Sequence, residues 1–187
     1  MEVPGLSVQL DIMSTQTEQV ILDWLDTQTW STALSRRTQH YGYDYNYKGG
    51  AITEGTPLTG PILDLAEILR TGNVMNPNQC IVNEYTRNQG IAAHVDSVKF
   101  GSTIVGFSIG ADCVMQFTKA DQTVDVFLPR RSVLVMTGES RYQWKHGISK
   151  TVTYTHDGVR ITKPSDYRRV SLTYREVYRE VYREVRN

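Results

Sequence analysis

The chain has 187 residues, a length that favours one domain with a buried core. Its 20 lysine and arginine residues balance 20 aspartate and glutamate residues, and a formal net charge of zero argues against a global attraction to nucleic acid. Two cysteines, Cys80 and Cys113, are too few for a disulfide framework or a zinc ribbon. Since neither a signal peptide nor a membrane-spanning apolar run is visible, we expect a cytoplasmic or nuclear monomer with no membrane partner.

Two amphipathic segments in the first part of the chain predict helices. The first begins at Thr15 and ends near residue 28, and Thr15 and Glu18 have the spacing of a capping box. The second covers about residues 61–70, with a proline in its first turn and Gly72 as its stop signal.

Strand patterns dominate the rest of the chain. Residues 41–47 alternate aromatic and polar side chains with the period of a β-strand. The strands predicted after Asn78 are Cys80 to Tyr85, Thr103 to Ile109, Val114 to Thr118, Thr123 to Leu128, Ser132 to Thr137, Thr151 to Thr155 and Arg168 to Tyr178. Many short strands with regular turns indicate a mainly β fold of the sandwich, barrel or jelly-roll type, with the N-terminal helices against one sheet face.

We expect a single domain over residues 1–187. Within it, residues 1–76 would carry the helices and a candidate substrate lid, and residues 77–178 would form the core. The end of the chain repeats Tyr-Arg-Glu-Val three times from Tyr174 to Val185. We interpret residues 179–187 as a duplicated extension of the last strand without a catalytic role, with a dedicated binding tail as the alternative.

A candidate metal site begins at His94 and Asp96. Side chains at positions i and i+2 of an extended chain lie on the same side, so both residues can reach one ion. His146 follows 50 residues after Asp96. Two histidines and one carboxylate form the facial triad of non-haem Fe(II) oxygenases. A His-x-Asp pair alone is common by chance, and an ordinary surface or core pair is the alternative.

A second polar pattern lies near the end of the chain. Its residues, spaced by two, are Arg169, Ser171, Thr173 and Arg175. A strand would present all four on one face, and two arginines on an inner face require anionic partners. A dicarboxylate would supply them in the bidentate geometry that guanidinium groups favour. Asn83 and Tyr85 have the same spacing and could complete a polar pocket. Surface salt bridges to neighbouring glutamates are the alternative for the arginines.

Taken together, these motifs resemble the AlkB family of Fe(II)- and 2-oxoglutarate-dependent dioxygenases. The family pattern is N-x-Y, then H-x-D, then H, then R-x-N/S-x-T-x-R. This chain has the elements in that order, as Asn83-Glu84-Tyr85, His94-Val95-Asp96, His146 and Arg169-Val170-Ser171-Leu172-Thr173-Tyr174-Arg175. Residues 36–45 and 128–142 are also similar to the oxygenase domain of the family member that modifies the wobble base of tRNA. The resemblance covers about residues 30 to 178.

The resemblance implies a double-stranded β-helix, or jelly roll, with a defined set of site residues. The implied Fe(II) ligands are His94, Asp96 and His146. The implied 2-oxoglutarate residues are Asn83, Tyr85, Arg169, Ser171 and Arg175. Arg169 would bind the distal carboxylate, and Arg175 would close the other side of the pocket. Position 171 is Ser where the bacterial repair enzyme has Asn, which puts one hydrogen bond to the cosubstrate in question.

The implied reaction is oxidative demethylation or hydroxylation, with O2 as a further cosubstrate. The expected substrates are modified bases in RNA or single-stranded DNA. This chain has no room for the accessory domains of the wobble-modifying member and lacks its His/Cys zinc site, so that member's substrate is not carried over. One alternative is a dioxygenase acting on a protein side chain or a small molecule. Another is a catalytically silent jelly-roll binding module.

Candidate substrate residues lie before and within the aromatic strand. Tyr41, Tyr43 and Tyr45 would share one strand face, which could stack a flipped base, and a packed sheet face is the alternative. Arg36 and Arg37 precede them. A phosphate-binding rim could form from these two arginines and three others, namely Arg130, Arg131 and Arg141, and ordinary surface arginines are the alternative.

Overall fold

The computed structural model describes residues 2–45 and 52–178, except for the side chains at positions 44, 45 and 52. Tyr47 and the predicted extension 179–187 lie outside the described residues. The helices are α1 (Thr15–Thr27), α2 (Gly60–Thr71) and α3 (Gly138–Tyr142). The strands are β1 (Leu6–Gln9), β2 (Arg37–Tyr45), β3 (Ile52–Glu54), β4 (Gln79–Thr86), β5 (Ile91–His94), β6 (Ile104–Ile109), β7 (Cys113–Lys119), β8 (Gln122–Leu128), β9 (Ser132–Met136), β10 (Lys145–Ile148), β11 (Thr153–His156), β12 (Val159–Thr162) and β13 (Arg168–Arg175).

Two antiparallel sheets form the body of the protein. The large sheet has the strand order β1-β9-β6-β13-β4-β2-β3, and the small sheet has the order β5-β10-β7-β8. The strands β11 and β12 form a separate hairpin. Apart from β2 with β3 and β7 with β8, the paired strands of both sheets are not consecutive in sequence, as expected for a jelly roll. The predicted mainly β fold with N-terminal helices is therefore confirmed.

The large sheet has one face under the helices and one face toward the small sheet. Ile21 and Leu25 of α1 and Ile62 of α2 pack with Val82 and Leu172 in one apolar cluster. A second cluster joins the opposite face of the large sheet to Phe117, Leu128 and other residues of the small sheet. Because successive side chains alternate along a strand, the residues between the helix-facing positions of β4 and β13 must face the small sheet.

Residues before position 77 contribute directly to the large sheet. β1 pairs with β9, and β2 pairs with β4 on one side and β3 on the other. The proposed division of the chain at residue 76 therefore separates strands of one sheet, and that division stays a prediction. None of the helices in the described ranges has the length and hydropathy needed to span a bilayer.

The first helix begins where predicted, but its cap differs from the expected capping box. Ser14 is the N-cap, and its hydroxyl accepts a hydrogen bond from the Thr17 amide. Glu18 is only 1% exposed and points away from the cap. Its carboxylate accepts a hydrogen bond from the Gly110 amide and pairs with Arg130. The buried carboxylate therefore joins α1 to the large sheet instead of closing the helix end.

The aromatic strand is interrupted at Gly42. Its φ of +77° lies in the left-handed region, which glycine adopts without a Cβ penalty. β2 pairs with β4 up to Gly42 and with β3 from Tyr43 onward. Tyr41 is 3% exposed and packs beside Trp24, whereas Tyr43 is half-buried. The left-handed φ of Gly42 interrupts the extended backbone between the two tyrosines, and their expected common face stays a prediction.

Candidate active site

A cavity of about 810 Å³ lies between the two sheets. That volume is within the range of small-molecule sites in proteins. It is lined by every residue that the two alternating motifs singled out, namely Asn83, Tyr85, Arg169, Ser171, Thr173 and Arg175. All six lie on the cavity-facing positions of β4 and β13, which are paired neighbours in the large sheet. The inference from alternation is correct for the whole set.

The three candidate metal ligands meet at one end of this cavity. His94 ends β5 and is the register partner of His146 on β10, and Asp96 follows two residues after His94. One ligand atom from each residue lies within 4.8 Å of the others. Gly147 permits this approach, because a Cβ at that position would lie 2.9 Å from the Ala93 nitrogen. The close contact of β5 with β10 therefore brings the two imidazoles together.

His94 is prepared to act as a ligand through Nε2. Its Nδ1 lies 2.9 Å from the carbonyl oxygen of Ala92. A proton on Nδ1 satisfies that contact, and Nε2 then keeps its lone pair. Burial lowers the pKa of His94, and the neighbouring His146 lowers it further. The neutral imidazole that a metal requires is therefore favoured.

Asp96 presents one carboxylate oxygen toward the histidines. The residue is 6% exposed, and its Oδ1 accepts a hydrogen bond from Arg175. Its Oδ2 lies 3.4 Å from Nε2 of His146 but makes no hydrogen bond to any described residue. Burial by itself would raise the pKa of Asp96, but Arg175 and the histidines lower it well below the ordinary range. An ionised carboxylate with one open oxygen suits a divalent cation.

These observations fit an iron ion. The donor set is two imidazole nitrogens and one carboxylate oxygen, which is the set of non-haem Fe(II) oxygenases. The buried Oδ2 of Asp96 lacks a partner that a metal would provide. Second contacts to Ala92 and Arg175 orient the ligands, as is usual around protein metal sites.

Arg169 is a buried cation with a hydroxyl as its hydrogen-bond partner. It is 2% exposed, and its Nε donates to the hydroxyl of Ser108 at 3.0 Å. Its Nη1 has no hydrogen-bond partner among the described residues. The Tyr85 ring lies 5.4 Å from the guanidinium carbon. Because a buried guanidinium is costly without an anion, the side chain is arranged to receive one. Ser108 was missed by the sequence motifs, although its alternate position on β6 was a signal.

Arg175 is the residue that the resemblance places on the other side of the cosubstrate pocket, and that role stays a prediction. It lines the cavity, but its guanidinium contacts the carboxylate of Asp96 and lies 4.7 Å from the Phe100 ring. It therefore sits between the polar pocket of β13 and the candidate metal ligands.

Arg36 and Arg37 lie on opposite sides of the large sheet. Arg36 lines the cavity, and its Nε donates to Oδ1 of Asn83 at 2.8 Å. Arg37 makes two hydrogen bonds of 2.8 Å to Glu84 and lies over the Trp30 ring. Of the two arginines, only Arg36 faces the cavity.

The other candidate substrate residues do not gather at the cavity. The structure places Arg130 and Arg131 beside Glu18, and it buries Arg141 to 1% exposure. The expected phosphate-binding role is therefore wrong for Arg141, because its side chain is buried, and it stays a prediction for Arg130 and Arg131, which contact Glu18. Tyr41 belongs to the helix-side core, and neither it nor Tyr43 lines the cavity. The side chain of Tyr45 lies outside the described part of the structure.

Comparisons with known proteins agree with this geometry. Residues 12–175 match the model of the 2OG-Fe(II) oxygenase superfamily. The chain is 37% identical over 202 residues to the tRNA (carboxymethyluridine(34)-5-O)-methyltransferase ALKBH8 of Macaca fascicularis. It is 31% identical over 208 residues to the alkylated DNA repair protein ALKBH8 homolog of Arabidopsis thaliana. These alignments cover 93% and 95% of this chain but only 30% and 59% of the two relatives.

More distant relatives share the fold. The DNA N6-methyl adenine demethylase of Caenorhabditis elegans is 27% identical over 190 residues, covering 94% of this chain and 60% of that protein. The solved structure of OsALKBH1 superposes with a TM-score of 0.69 at 17% identity, covering 92% of this chain and 97% of that chain. A Pseudomonas putida prolyl-4-hydroxylase superposes with a TM-score of 0.60 at 12% identity, covering 93% of both chains. The chain belongs to the 2OG-Fe(II) oxygenase superfamily, as an AlkB-like member, and this membership implies Fe(II) and 2-oxoglutarate.

Proposed function

We propose that this domain is an Fe(II)/2-oxoglutarate-dependent dioxygenase that oxidises a modified base in RNA or single-stranded DNA. The observation that carries the proposal is one cavity that joins the His94, Asp96 and His146 cluster to the buried cation Arg169. A metal site and a carboxylate receptor in the same cavity match the two ends of a keto acid cosubstrate.

The three clustered side chains would hold the iron. His94 would bind through Nε2, because Nδ1 is engaged by Ala92. Asp96 would bind through Oδ2, because Oδ1 is engaged by Arg175. Bound Fe(II), with O2 and 2-oxoglutarate, supplies the oxidation, in which the cosubstrate becomes succinate and CO2 and one substrate C–H bond becomes C–OH.

The polar face of β13 would hold the cosubstrate. Arg169 would bind the distal carboxylate as a charge-assisted pair, with Ser108 fixing its orientation. Ser171 and Asn83 would donate hydrogen bonds, and the Tyr85 ring would cover one side of the pocket. Arg175 would border this pocket while it orients Asp96, so its loss should affect both cosubstrate and metal.

The substrate assignment rests on relatives and on one residue. The names of the relatives concern carboxymethyluridine at position 34 of tRNA, alkylated DNA and DNA N6-methyl adenine. The chain spans about a third of the Macaca relative, so that protein's whole activity does not transfer directly. Arg36 lies in the cavity beside Asn83 and has no carboxylate partner among the described residues. We assign it to an anionic group of the substrate.

A second candidate is oxidation of a protein side chain or a small molecule. It is favoured by the pairing of Arg37, Arg130 and Arg131 with Glu84 and Glu18, which reduces the positive charge available to a phosphate. A formal net charge of zero points the same way.

The test is succinate formation with Fe(II), ascorbate and 2-oxoglutarate, followed by mass spectrometry of a substrate panel. The panel contains a tRNA anticodon stem-loop with 5-carboxymethyluridine at position 34 and a single-stranded DNA with N6-methyladenine. We expect succinate in all mixtures and a matching gain of oxygen, or loss of a methyl group, in one nucleic acid. Succinate without any change in the panel would favour the second candidate. No succinate from the wild type would refute the dioxygenase.

Arg36→Gln tests the substrate contact, with the exposed Arg160→Gln as its matched control. If Arg36 binds a phosphate, the salt dependence of binding to the favoured oligonucleotide should flatten by about one charge. If Arg36 instead binds a carboxylate on the base, esterifying that carboxylate should weaken binding to the wild type but not to the variant. The variant should form succinate in the absence of substrate at the wild-type rate. A raised 2-oxoglutarate requirement in the variant would show that Arg36 contacts the cosubstrate and not the substrate.

A further inference from the structure

Arg141 is a buried arginine that the proposed reaction does not yet use. It lies in α3 and is 1% exposed. Its guanidinium donates to four main-chain carbonyl oxygens in the segment that starts at Asp96. The acceptors are Asp96 at 2.9 Å, Ser97 at 2.6 Å, Phe100 at 3.2 Å and Gly101 at 3.1 Å. No carboxylate of the described residues forms an ion pair with it.

This arrangement is expensive for ordinary packing. A buried guanidinium without a carboxylate loses its hydration and gains only carbonyl dipoles in return. Burial lowers the pKa of Arg141, and the charge of Asp96 offsets part of that effect. An apolar side chain could fill the same space without the desolvation penalty. The hydrogen bonds to the four carbonyl groups are therefore what only an arginine supplies at this position.

Arg141 is linked to two of the candidate metal ligands, Asp96 and His146. Asp96 is held at two points, with Arg141 on its carbonyl oxygen and Arg175 on its Oδ1. His146 lies five residues after Arg141, in the strand that follows α3. One short segment, residues 141–146, therefore fixes the backbone of Asp96 and delivers His146.

We infer that Arg141 is a positioning residue that sets the placement of Asp96 relative to His146. This inference rests on the proposed metal site. With Arg141 in place, the main chain at Asp96 cannot shift without breaking hydrogen bonds to the guanidinium, and Oδ2 stays directed toward the histidines. Without it, residues 96–101 would be held mainly by their other backbone contacts, such as the hydrogen bond from Gly101 to the carbonyl oxygen of Glu176.

The test compares Arg141→Lys and Arg141→Gln with the control Glu18→Gln. Glu18 is equally buried but lies in the contact between α1 and the large sheet, away from the cavity. Each variant is titrated with Mn(II), a stand-in for Fe(II) that avoids oxidation, and free Mn(II) is followed by electron paramagnetic resonance. The visible absorption spectrum of each variant saturated with Co(II) reports the ligand geometry, and thermal unfolding reports stability.

We expect Arg141→Gln to weaken Mn(II) binding by about 10- to 100-fold, the usual effect of losing a group that orients a metal ligand. Its Co(II) spectrum should also change. Arg141→Lys should lie between Arg141→Gln and wild type, because one ammonium cannot reach four carbonyl groups. Glu18→Gln should unfold at lower temperature yet keep wild-type Mn(II) affinity and spectrum.

The contrary outcomes are separable. Folded Arg141 variants with wild-type Mn(II) affinity and spectrum would make Arg141 only a structural contact. If Arg141→Gln does not fold, Arg141→Lys decides the question by the same two readings. If the His94→Ala variant bound Mn(II) as tightly as the wild type, both the metal site and the role of Arg141 would be refuted.

Discussion

Arginines on the two faces of β13 and of the segment that enters β2 have different partners. On the face toward the helices, Arg168 donates to Asp26 and Glu84, and Arg37 donates to the same Glu84. On the cavity face, the adjacent Arg169 donates to the hydroxyl of Ser108, and Arg36 donates to the amide oxygen of Asn83. The difference is one of charge balance, since the helix-side cations are neutralised and these two cavity-side cations are not.

The cavity face shows how a site for anions is built. Three arginines line the cavity, and Asp96 is the one carboxylate among the described lining residues. Arg175 is paired with that carboxylate, which leaves Arg169 and Arg36 for groups that arrive from solution. Neighbouring residues of β13 therefore differ in their partners, since Arg168 pairs with carboxylates on one face and Arg169 is left available to a ligand on the other.

The largest expected effect on the cavity face is the loss of succinate formation when a candidate metal ligand is replaced. His94→Ala should abolish succinate formation while the protein stays folded, because His94 is only half-buried at the edge of the small sheet. Asp96→Ala is less clean, since it also removes the carboxylate that contacts Arg175 in the interior. Succinate assays and circular dichroism spectra on the same samples check this, and near wild-type turnover in His94→Ala would refute the metal assignment.

The adjacent pair Arg168 and Arg169 gives the most direct contrast. Arg169→Ala should raise the 2-oxoglutarate requirement roughly 30-fold or more, since a lost charge-assisted pair in a buried site is worth on the order of 2–5 kcal/mol. Arg168→Ala should leave that requirement unchanged, because its side chain faces Asp26 and Glu84. The measurement is the 2-oxoglutarate dependence of succinate formation. Equal values for wild type and Arg169→Ala would move the cosubstrate anchor to another residue.

The two strands that carry most polar residues of the cavity could be predicted from the sequence. β4 and β13 are eight residues each, and both lie inside the large sheet with neighbours on either side. Apolar residues at every second position bury one face, so the positions of Asn83, Tyr85, Arg169 and Arg175 follow from alternation alone. The cavity-facing positions of these two strands therefore needed no tertiary information, whereas the contact of Arg169 with Ser108 of β6 did.

The strands that carry the two histidines could not be predicted in the same way. β5 and β10 have four residues each, and they contain alanines and a glycine, which have low strand propensity. They are strands because they pair with each other and because β10 also pairs with β7, which only the folded chain reveals. The metal site was found from residue types. Arg141 was misassigned because the sequence does not show whether an arginine in a short helix is exposed or buried.

On the helix-side face, the variant Glu84→Gln tests whether the paired charges serve stability. Glu84 is 4% exposed and accepts hydrogen bonds from Arg37 and Arg168, so the change leaves Arg37 without a carboxylate partner and Arg168 with Asp26 alone. We expect the unfolding free energy to fall by about 3 kcal/mol. This value is at the lower end of the range for breaking a buried ion pair, because the Arg37 side chain is 44% exposed. Urea unfolding measures it, and the 2-oxoglutarate requirement should not change. A raised 2-oxoglutarate requirement with unchanged unfolding free energy would contradict the proposal that the helix-side charges serve stability and the cavity-side charges serve ligand binding.

The smallest expected effect is the pH dependence of that stability difference. Burial by itself would raise the pKa of Glu84, but hydrogen bonds and charge from Arg37 and Arg168 lower it overall. A carboxyl group whose pKa is lower in the folded state contributes its full stability above its unfolded pKa of about 4.3 and loses it as pH falls toward the folded pKa. The gap in unfolding free energy between wild type and Glu84→Gln should therefore be constant from pH 7 to 5.

Below that unfolded pKa, the same gap should narrow, by up to about 1.4 kcal/mol for each pH unit, because one proton is taken up by the unfolded chain. Urea titrations at several pH values measure the gap, and Glu67→Gln serves as the control. Glu67 forms an exposed i,i+3 pair with Arg70, with 54% of its side chain exposed, and such pairs contribute little. A gap that narrows above pH 6, or that stays constant down to the lowest pH at which the protein folds, would show that the Glu84 carboxylate is not the stabilising charge. The helix-side network would then owe its stability to packing and not to ion pairing.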